Sequence, residues 1–421
     1  MLSNAKAYPK ALKDKYLEVR KLSEKICAPL EIEDYVVQPV VDVSPPKWHL
    51  AHTTWFFETF LLIPYIKDYQ LFHKEFPFLF NSYYVSAGVR WVRSNRGNLT
   101  RPSVKEIYEY RSYVNEAMIG FFDEFSSSWT DTLQYIVDIG LQHEQQHQEL
   151  LLYDIKYILG HNPLLPAYLE GELPDQMNYE VEKLGWIDIP ANNYEIGWNK
   201  SGFCFDNELG VHTVYIPDTQ VAPQLVTNTE YLNFIKDGGY ERPELWLSEG
   251  WDWVGQLSCK MPMYWHLNDG SYHSYTSYGL HPLQMEHPVM HVSFFEADAF
   301  ARWAGKELPS EAVWEVACRL SESEVPGTAN FVDGKKHTVS GPGHFYGNLW
   351  EWTSSPYRPY PGYQAPDGAL GEYNGKFMIN QMVLRGGSFG TSRDHIRFSY
   401  RNFFHPHLRW MFSGIRLASQ S

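Results

Sequence analysis

The stretch TDTLQYIVDIGLQHEQQHQELLLYDIKYIL, residues 130–159, is the longest helical pattern in the chain. Leu133, Ile136, Gly140, His143, His147, Leu150 and Asp154 recur at steps of three and four, which places them on one face of a helix. Gly160 and Pro163 stop the pattern. The stripe is largely apolar, so His143 and His147 are expected to face an interior. A buried imidazole needs partners for both ring nitrogens. Metal ligation by one nitrogen and a hydrogen bond to the other would meet that need. Two satisfied core histidines are the plainer alternative.

Working outward, three more helices are predicted before residue 130. Residues 9–27 mix Lys and Glu with apolar residues at helical spacing. Residues 47–63, KWHLAHTTWFFETFLLI, read as a buried aromatic helix ending at Pro64. Residues 103–125 open on Ser103 with Glu106 three later, a capping box. With one longer connection, 64–102, these four helices make a four-helix bundle over residues 1–165 the simplest fit. The 47–63 helix offers two further imidazoles. His52 shares a stripe with Trp48 and Trp55, His49 shares one with Phe56, and spacing leaves both open as a third ligand.

Residues 166–184, with Pro166, Pro174 and acidic residues, read as a linker. From 185 to 421 the character changes. Gly, Pro, Asn, Trp and Tyr recur between short apolar runs, and only 294–304 and 310–319 look helical. The expected class is α+β multidomain, a helical bundle followed by a loop-rich α+β domain.

Charge excludes one class of function. The 421 residues carry a formal net charge of −15, and a chain this acidic lacks the clustered Lys and Arg that phosphate neutralisation needs. No nucleic-acid partner is expected. No run approaches 18 apolar residues, and MLSNAKAYPKALKDKY has no apolar leader core, so no membrane association is expected. Cys27, Cys204, Cys259 and Cys318 lie far apart and read as free thiols in a reducing cytoplasm.

HEQQH (143–147) also matches the zinc-protease pattern, with Glu144 as general base. Glu144 lies off the histidine stripe, and QELLLYDIKYIL lacks the Gly and His of the extended pattern. Zinc hydrolysis is the less favoured reading.

Taken together, HLAHTTWFFE (49–58), HEQQHQE (143–149), GWIDIPANNYEIG (185–197), HPVMHVSFFEADAFARWAGKELPSEAVWEVACR (287–319), GNLWEWTSSPY (347–357) and LRGGSFG (384–390) resemble the ergothioneine-type sulfoxide synthases. These are non-haem iron enzymes with a DinB-like four-helix bundle and a C-type-lectin-like domain of the formylglycine-generating (sulfatase-modifying) type. The resemblance covers nearly the whole chain. It implies Fe(II) held by His52, His143 and His147, so it selects His52 over His49. Three neutral imidazoles would leave open positions for sulfur, substrate imidazole and O2, as in relatives of the facial triad. The segment GGSFGTSRDHIRFSY has no cysteine, so formylglycine-generating activity itself is not expected.

The implied reaction joins the sulfur of a cysteine derivative to C2 of the imidazole of Nα-trimethylhistidine (hercynine), using O2. Gln146 is implied to touch the substrate imidazole. Asn402 is implied to bind its carboxylate, and Phe403 and Phe404 to wall its trimethylammonium group. Branches using γ-glutamylcysteine carry an Asp where this chain has Phe404, which points to free cysteine as the donor. Arg93, and after it Arg90, are the candidates for the cysteine carboxylate. Tyr83 and Tyr84 in NSYYVSAG are the candidate proton donors. Ovothiol-type chemistry (histidine plus cysteine) and a selenoneine-type donor are the rival readings within the family. Ovothiol-type chains usually carry a further methyltransferase domain, which is not expected in 421 residues. Domains of the second type sometimes hold a structural Ca2+.

Overall fold

The computed structural model describes residues 7–82, 84–173, 185–321, 325–326, 329, 331–332 and 344–420. Tyr83 and the 174–184 part of the expected linker lie outside them. The chain divides into two compact units, Met1–Leu169 with Asp367–Glu372, and Glu170–Pro366 with Tyr373–Ser421.

The first unit packs four long helices: α1 (Ala7–Cys27), α2 (Pro46–Phe57), α3 (Val104–Glu124) and α4 (Asp131–Gly160). Ser103 caps α3 as its sequence predicts. Its Oγ accepts from the Glu106 amide, and the Glu106 carboxylate accepts from the Ser103 amide. Thr130 caps α4 by accepting from the Leu133 amide. All of α2 is buried, and each of its large apolar side chains contributes roughly 1.5–3 kcal/mol by leaving water.

Pro64 does not end the second helix. The backbone widens into a π turn at Glu58–Leu62 and continues through Ile63–Tyr65. Pro64 falls in the first turn of that last segment, where a missing N–H costs little.

Two features set how the helices meet. At Gly140 on α4, a Cβ would stand 2.7 Å from one ring carbon of Phe57 and 2.9 Å from one of Phe56, so only glycine lets α2 approach this closely. One turn further on, Glu144 ties the bundle together. Its Oε2 accepts from Arg20 of α1 at 2.9 Å, and its Oε1 from Ser23 of α1 at 2.7 Å and Arg111 of α3 at 3.0 Å. Arg20 also reaches Thr54 of α2, and Arg111 the Leu50 carbonyl. A buried carboxylate is tolerated only when paired and bonded this fully.

The second unit is a loop-rich α+β fold. One antiparallel sheet orders Ile187–Ile189, Thr219–Leu225 and Arg416–Gln420. A second orders Asn402–Phe404, Met382–Arg385, Trp350–Pro356 and Ser413–Gly414, the last pair parallel. A hairpin (Asn192–Ile196 with His212–Ile216) and a meander (Trp265–Asn268, Ser271–Thr276, Gly279–Pro282) complete the strands. Helices α5 (Asn228–Lys236), α6 (Ser248–Leu257), α7 (Phe294–Trp303) and α8 (Glu311–Ser321) pack around them. Sequence reading expected only the last two. It missed α5 and α6 because Gly and Trp crowd the WLSEGWDWVG segment, and α5 is only nine residues long. Buried ion pairs run through this core: Glu351 with Arg416, Glu208 with Arg397, and Glu311 with Arg401 and Arg385.

Candidate metal centre

His52 comes from the middle of α2, and His143 and His147 from successive turns of α4. One nitrogen from each lies within 4.8 Å of the others, and all three residues are buried. Among the described residues this is the one group of three or more His, Cys, Asp or Glu that converges closely enough to hold a metal ion.

The spacing of the nitrogens fits an ion. His52 Nδ1 lies 2.6 Å from the Phe80 carbonyl oxygen, which can only accept, so Nδ1 carries the proton and Nε2 is bare. That bare Nε2 stands 3.1 Å from His143 Nε2. Two imidazoles bound at right angles to one ion, at about 2.1 Å each, would stand about 3 Å apart. His52 is also sandwiched between indoles, Trp48 at 4.5 Å and 15° and Trp55 at 5.4 Å and 13°. The i, i+4, i+7 stripe seen in the sequence is this stack, and it fixes the ring plane.

Electrostatics keep the nitrogens neutral. Burial pushes His143 down to about 3, with Glu144 pulling weakly the other way. Burial, and then the neighbouring imidazoles, hold His52 and His147 well below the usual histidine range. Neutral imidazoles are the form that ligates. Beyond the triad, His147 Nδ1 lies 2.8 Å from His49 Nδ1, and His49 Nε2 lies 2.9 Å from Asp154 Oδ2. The alternative third ligand His49 therefore stands behind the triad, not in it.

Glu144 points away from the triad into the Arg20, Arg111 and Ser23 cluster. Burial alone would raise its pKa, but the two guanidinium groups outweigh this and hold it at about 2. A carboxylate so engaged is a poor general base, which removes the main support for the zinc-hydrolase reading.

The other predicted residues fall in several places. Tyr84 is buried, its ring 5.5 Å from Trp55 and 6.4 Å from Phe56, and Phe56 lies 5.0 Å from His143. Asn81 pins the Tyr84 backbone from both sides. Gln146 is half-buried, one residue from His147. Arg90 and Arg93 are exposed, and Arg93 donates to the Asp42 carbonyl at 2.8 Å. Asn402, Phe403 and Phe404 form a strand of the second unit. Phe403 stacks on Tyr357 at 4.0 Å with Phe377 beyond, and Phe404 meets the edge of Trp410.

Sequence reading missed Arg96. It is 4% exposed, its guanidinium lies 3.3 Å from the centroid of Trp48, and Ser44 and Ser82 accept its bonds at 2.8 Å. It thus backs the indole that backs His52. Three arginines follow one another at three-residue steps in RWVRSNRG, and nothing in that spacing marks the last as the buried one.

Comparison with known proteins agrees with this architecture. Residues 15–151 match the DinB superfamily, and residues 175–343 and 328–421 match the sulfatase-modifying factor enzyme 1-like domain. The hercynine oxygenase of Mycolicibacterium smegmatis is 31% identical over 66% of this chain and 70% of its own length. That of Mycobacterium tuberculosis is 30% identical over 73% and 77%. That of Mycolicibacterium thermoresistibile is 29% identical over 77% of each. With a DinB-type bundle carrying three convergent histidines and a sulfatase-modifying-type second domain, the chain belongs to the hercynine oxygenase family of ergothioneine-type sulfoxide synthases.

Proposed function

We propose that the protein joins cysteine to C2 of the hercynine imidazole with O2, giving hercynylcysteine sulfoxide. The observation that carries this reading is the set of buried, neutral, convergent nitrogens of His52, His143 and His147 in a chain of this family. Fe(II) held there would reduce O2 and offer positions to the thiolate and the substrate imidazole. The balance is simple: the S–H and C2–H hydrogens leave with one oxygen atom as water, and the other oxygen stays on sulfur.

The chain's own residues supply the rest. Burial and the Trp48–His52–Trp55 stack hold the ligands in place and keep bulk water away. Gln146 hydrogen-bonds the substrate imidazole. Phe403 and Phe404, both half-buried, wall the trimethylammonium group, which an uncharged π surface attracts. Asn402 takes the hercynine carboxylate. Arg93, with Arg90, takes the cysteine carboxylate; it spends one N–H on Asp42 and a guanidinium has five. Phe404 has no carboxylate to ion-pair with a γ-glutamyl ammonium group, which favours free cysteine. Tyr84, or Tyr83 beside it, delivers the proton to reduced oxygen.

The test is anaerobic reconstitution with Fe(II), followed by hercynine, cysteine and O2, with product masses read out. γ-Glutamylcysteine and histidine run as replacement substrates. The expected product is hercynylcysteine sulfoxide from cysteine. Product from γ-glutamylcysteine alone would overturn the donor assignment, and product from histidine alone would make this an ovothiol-type enzyme. No O2-dependent product from any pair would sink the reading.

A further inference from the structure

We infer that His49 and Asp154 are positioning residues for the metal centre: they lock His147 in the tautomer that carries its proton on Nδ1 and presents a bare Nε2 to the ion. The inference rests on the triad being a metal site.

The argument is a chain of donors and acceptors. Asp154 Oδ2 accepts from the Ser44 amide at 2.8 Å and lies 2.9 Å from His49 Nε2. A carboxylate only accepts, so His49 Nε2 carries its proton. His49 is 2% exposed, and with its proton on Nε2 toward the carboxylate and its Nδ1 toward the His147 imidazole both ring nitrogens are satisfied in the neutral ring. Its Nδ1 is then a lone pair. That lone pair sits 2.8 Å from His147 Nδ1, and of the two nitrogens only the latter can donate. His147 Nε2 is left unprotonated, facing His52 and His143. The opposite tautomer would press two lone pairs together at 2.8 Å in a dry site, at the full cost of an unmade buried hydrogen bond.

His52 gets the same treatment more simply from the Phe80 carbonyl, whose direction is never in doubt. His49 is ambivalent by itself, because an imidazole can donate or accept at Nδ1. Asp154 decides its direction. Asp154 sits seven residues, two turns, after His147 on one face of α4, and its own oxygen is anchored by the Ser44 backbone. Carboxylate–imidazole support behind a ligating histidine raises its basicity and fixes its ring.

Two measurements test this on the whole chain. The first is a two-bond 1H–15N correlation on metal-free protein with labelled histidine, which distinguishes the tautomers directly. The expected result is His147 protonated on Nδ1 and His49 on Nε2; His147 protonated on Nε2 would overturn the inference. The second is Co(II) titration of metal-free wild type, His49→Leu and His49→Asn. His49→Leu should bind about 10–100-fold more weakly. His49→Asn should recover most of that, because its carbonyl can still accept from His147 Nδ1. Unchanged affinity in His49→Leu, or no rescue by Asn, would overturn the positioning role while leaving the metal reading intact. A wild-type protein that takes no Co(II) would overturn both. If His49→Leu does not fold, the wild-type tautomer measurement decides alone.

Discussion

One helix carries two buried polar flanks, and they are opposites. On one flank of α4, Glu144 and Gln148 stand four residues apart and are saturated. Glu144 takes Arg20, Arg111 and Ser23, while Gln148 donates to the Val19 carbonyl at 2.7 Å and the Ser23 hydroxyl at 3.1 Å. On the other, His143 and His147 also stand four apart, and imidazole nitrogens converge there with that of His52. The first flank is a solved structural problem. The second gathers three imidazole nitrogens close enough for one cation to take a lone pair from each. Spacing and burial do not separate a structural polar pair from a functional one; the sign and saturation of the partners do.

The sharpest way to break this comparison is to swap a residue on the open flank. His143→Leu should abolish metal binding and O2-dependent turnover while the chain stays folded, checked by Co(II) titration and circular dichroism. Wild-type metal affinity in that variant would mean the triad is not the site. On the closed flank the pattern should reverse. Glu144→Gln leaves Arg20 and Arg111 with an uncompensated buried charge and should cost about 3–5 kcal/mol in denaturant unfolding. Metal affinity of the folded fraction should not change.

Acid separates the flanks further. In metal-free protein, burial holds His143 at about 3, against 6.5 for the ordinary residue. The unfolded chain therefore binds the extra proton between those values. The stability from this group is complete above pH 6.5 and erodes as pH falls toward 3. Between pH 7 and 5 His143 alone should remove about 2 kcal/mol. Glu144, held at about 2 against 4.5, loses its contribution only in the later window, from pH 4.5 toward 2. Denaturant melts across pH should show two stages in wild type and only the later one's loss in Glu144→Gln. The smallest effect belongs to Gln148→Leu, about 1–2 kcal/mol of stability with metal binding intact.

Much of this was legible in the sequence because helical periodicity and burial are local. The His143–His147 stripe, the Ser103 capping box and the Trp48–His52–Trp55 row could be read directly. Asp154 lay on the same stripe, yet its service to His49 depends on how α2 and α4 face each other, which no spacing reports. Arg96 was hidden for the same reason: whether an arginine is buried depends on the indole and the two serines that meet it. Family resemblance, not spacing, chose His52 over His49, and the stack and the Phe80 carbonyl give that choice a physical basis. Helices α5 and α6 were lost because packing of the second unit overrides weak local propensity.

Gly140 has a consequence for the ion. The distance between His52 and His143 is set by how near two backbones can lie, and the residue controlling that nearness has no side chain. The site is therefore a caliper whose opening is set by two phenyl rings lying against a bare backbone. A methyl group at position 140 would press on the Phe56 and Phe57 rings and widen the gap between the imidazoles without touching either of them.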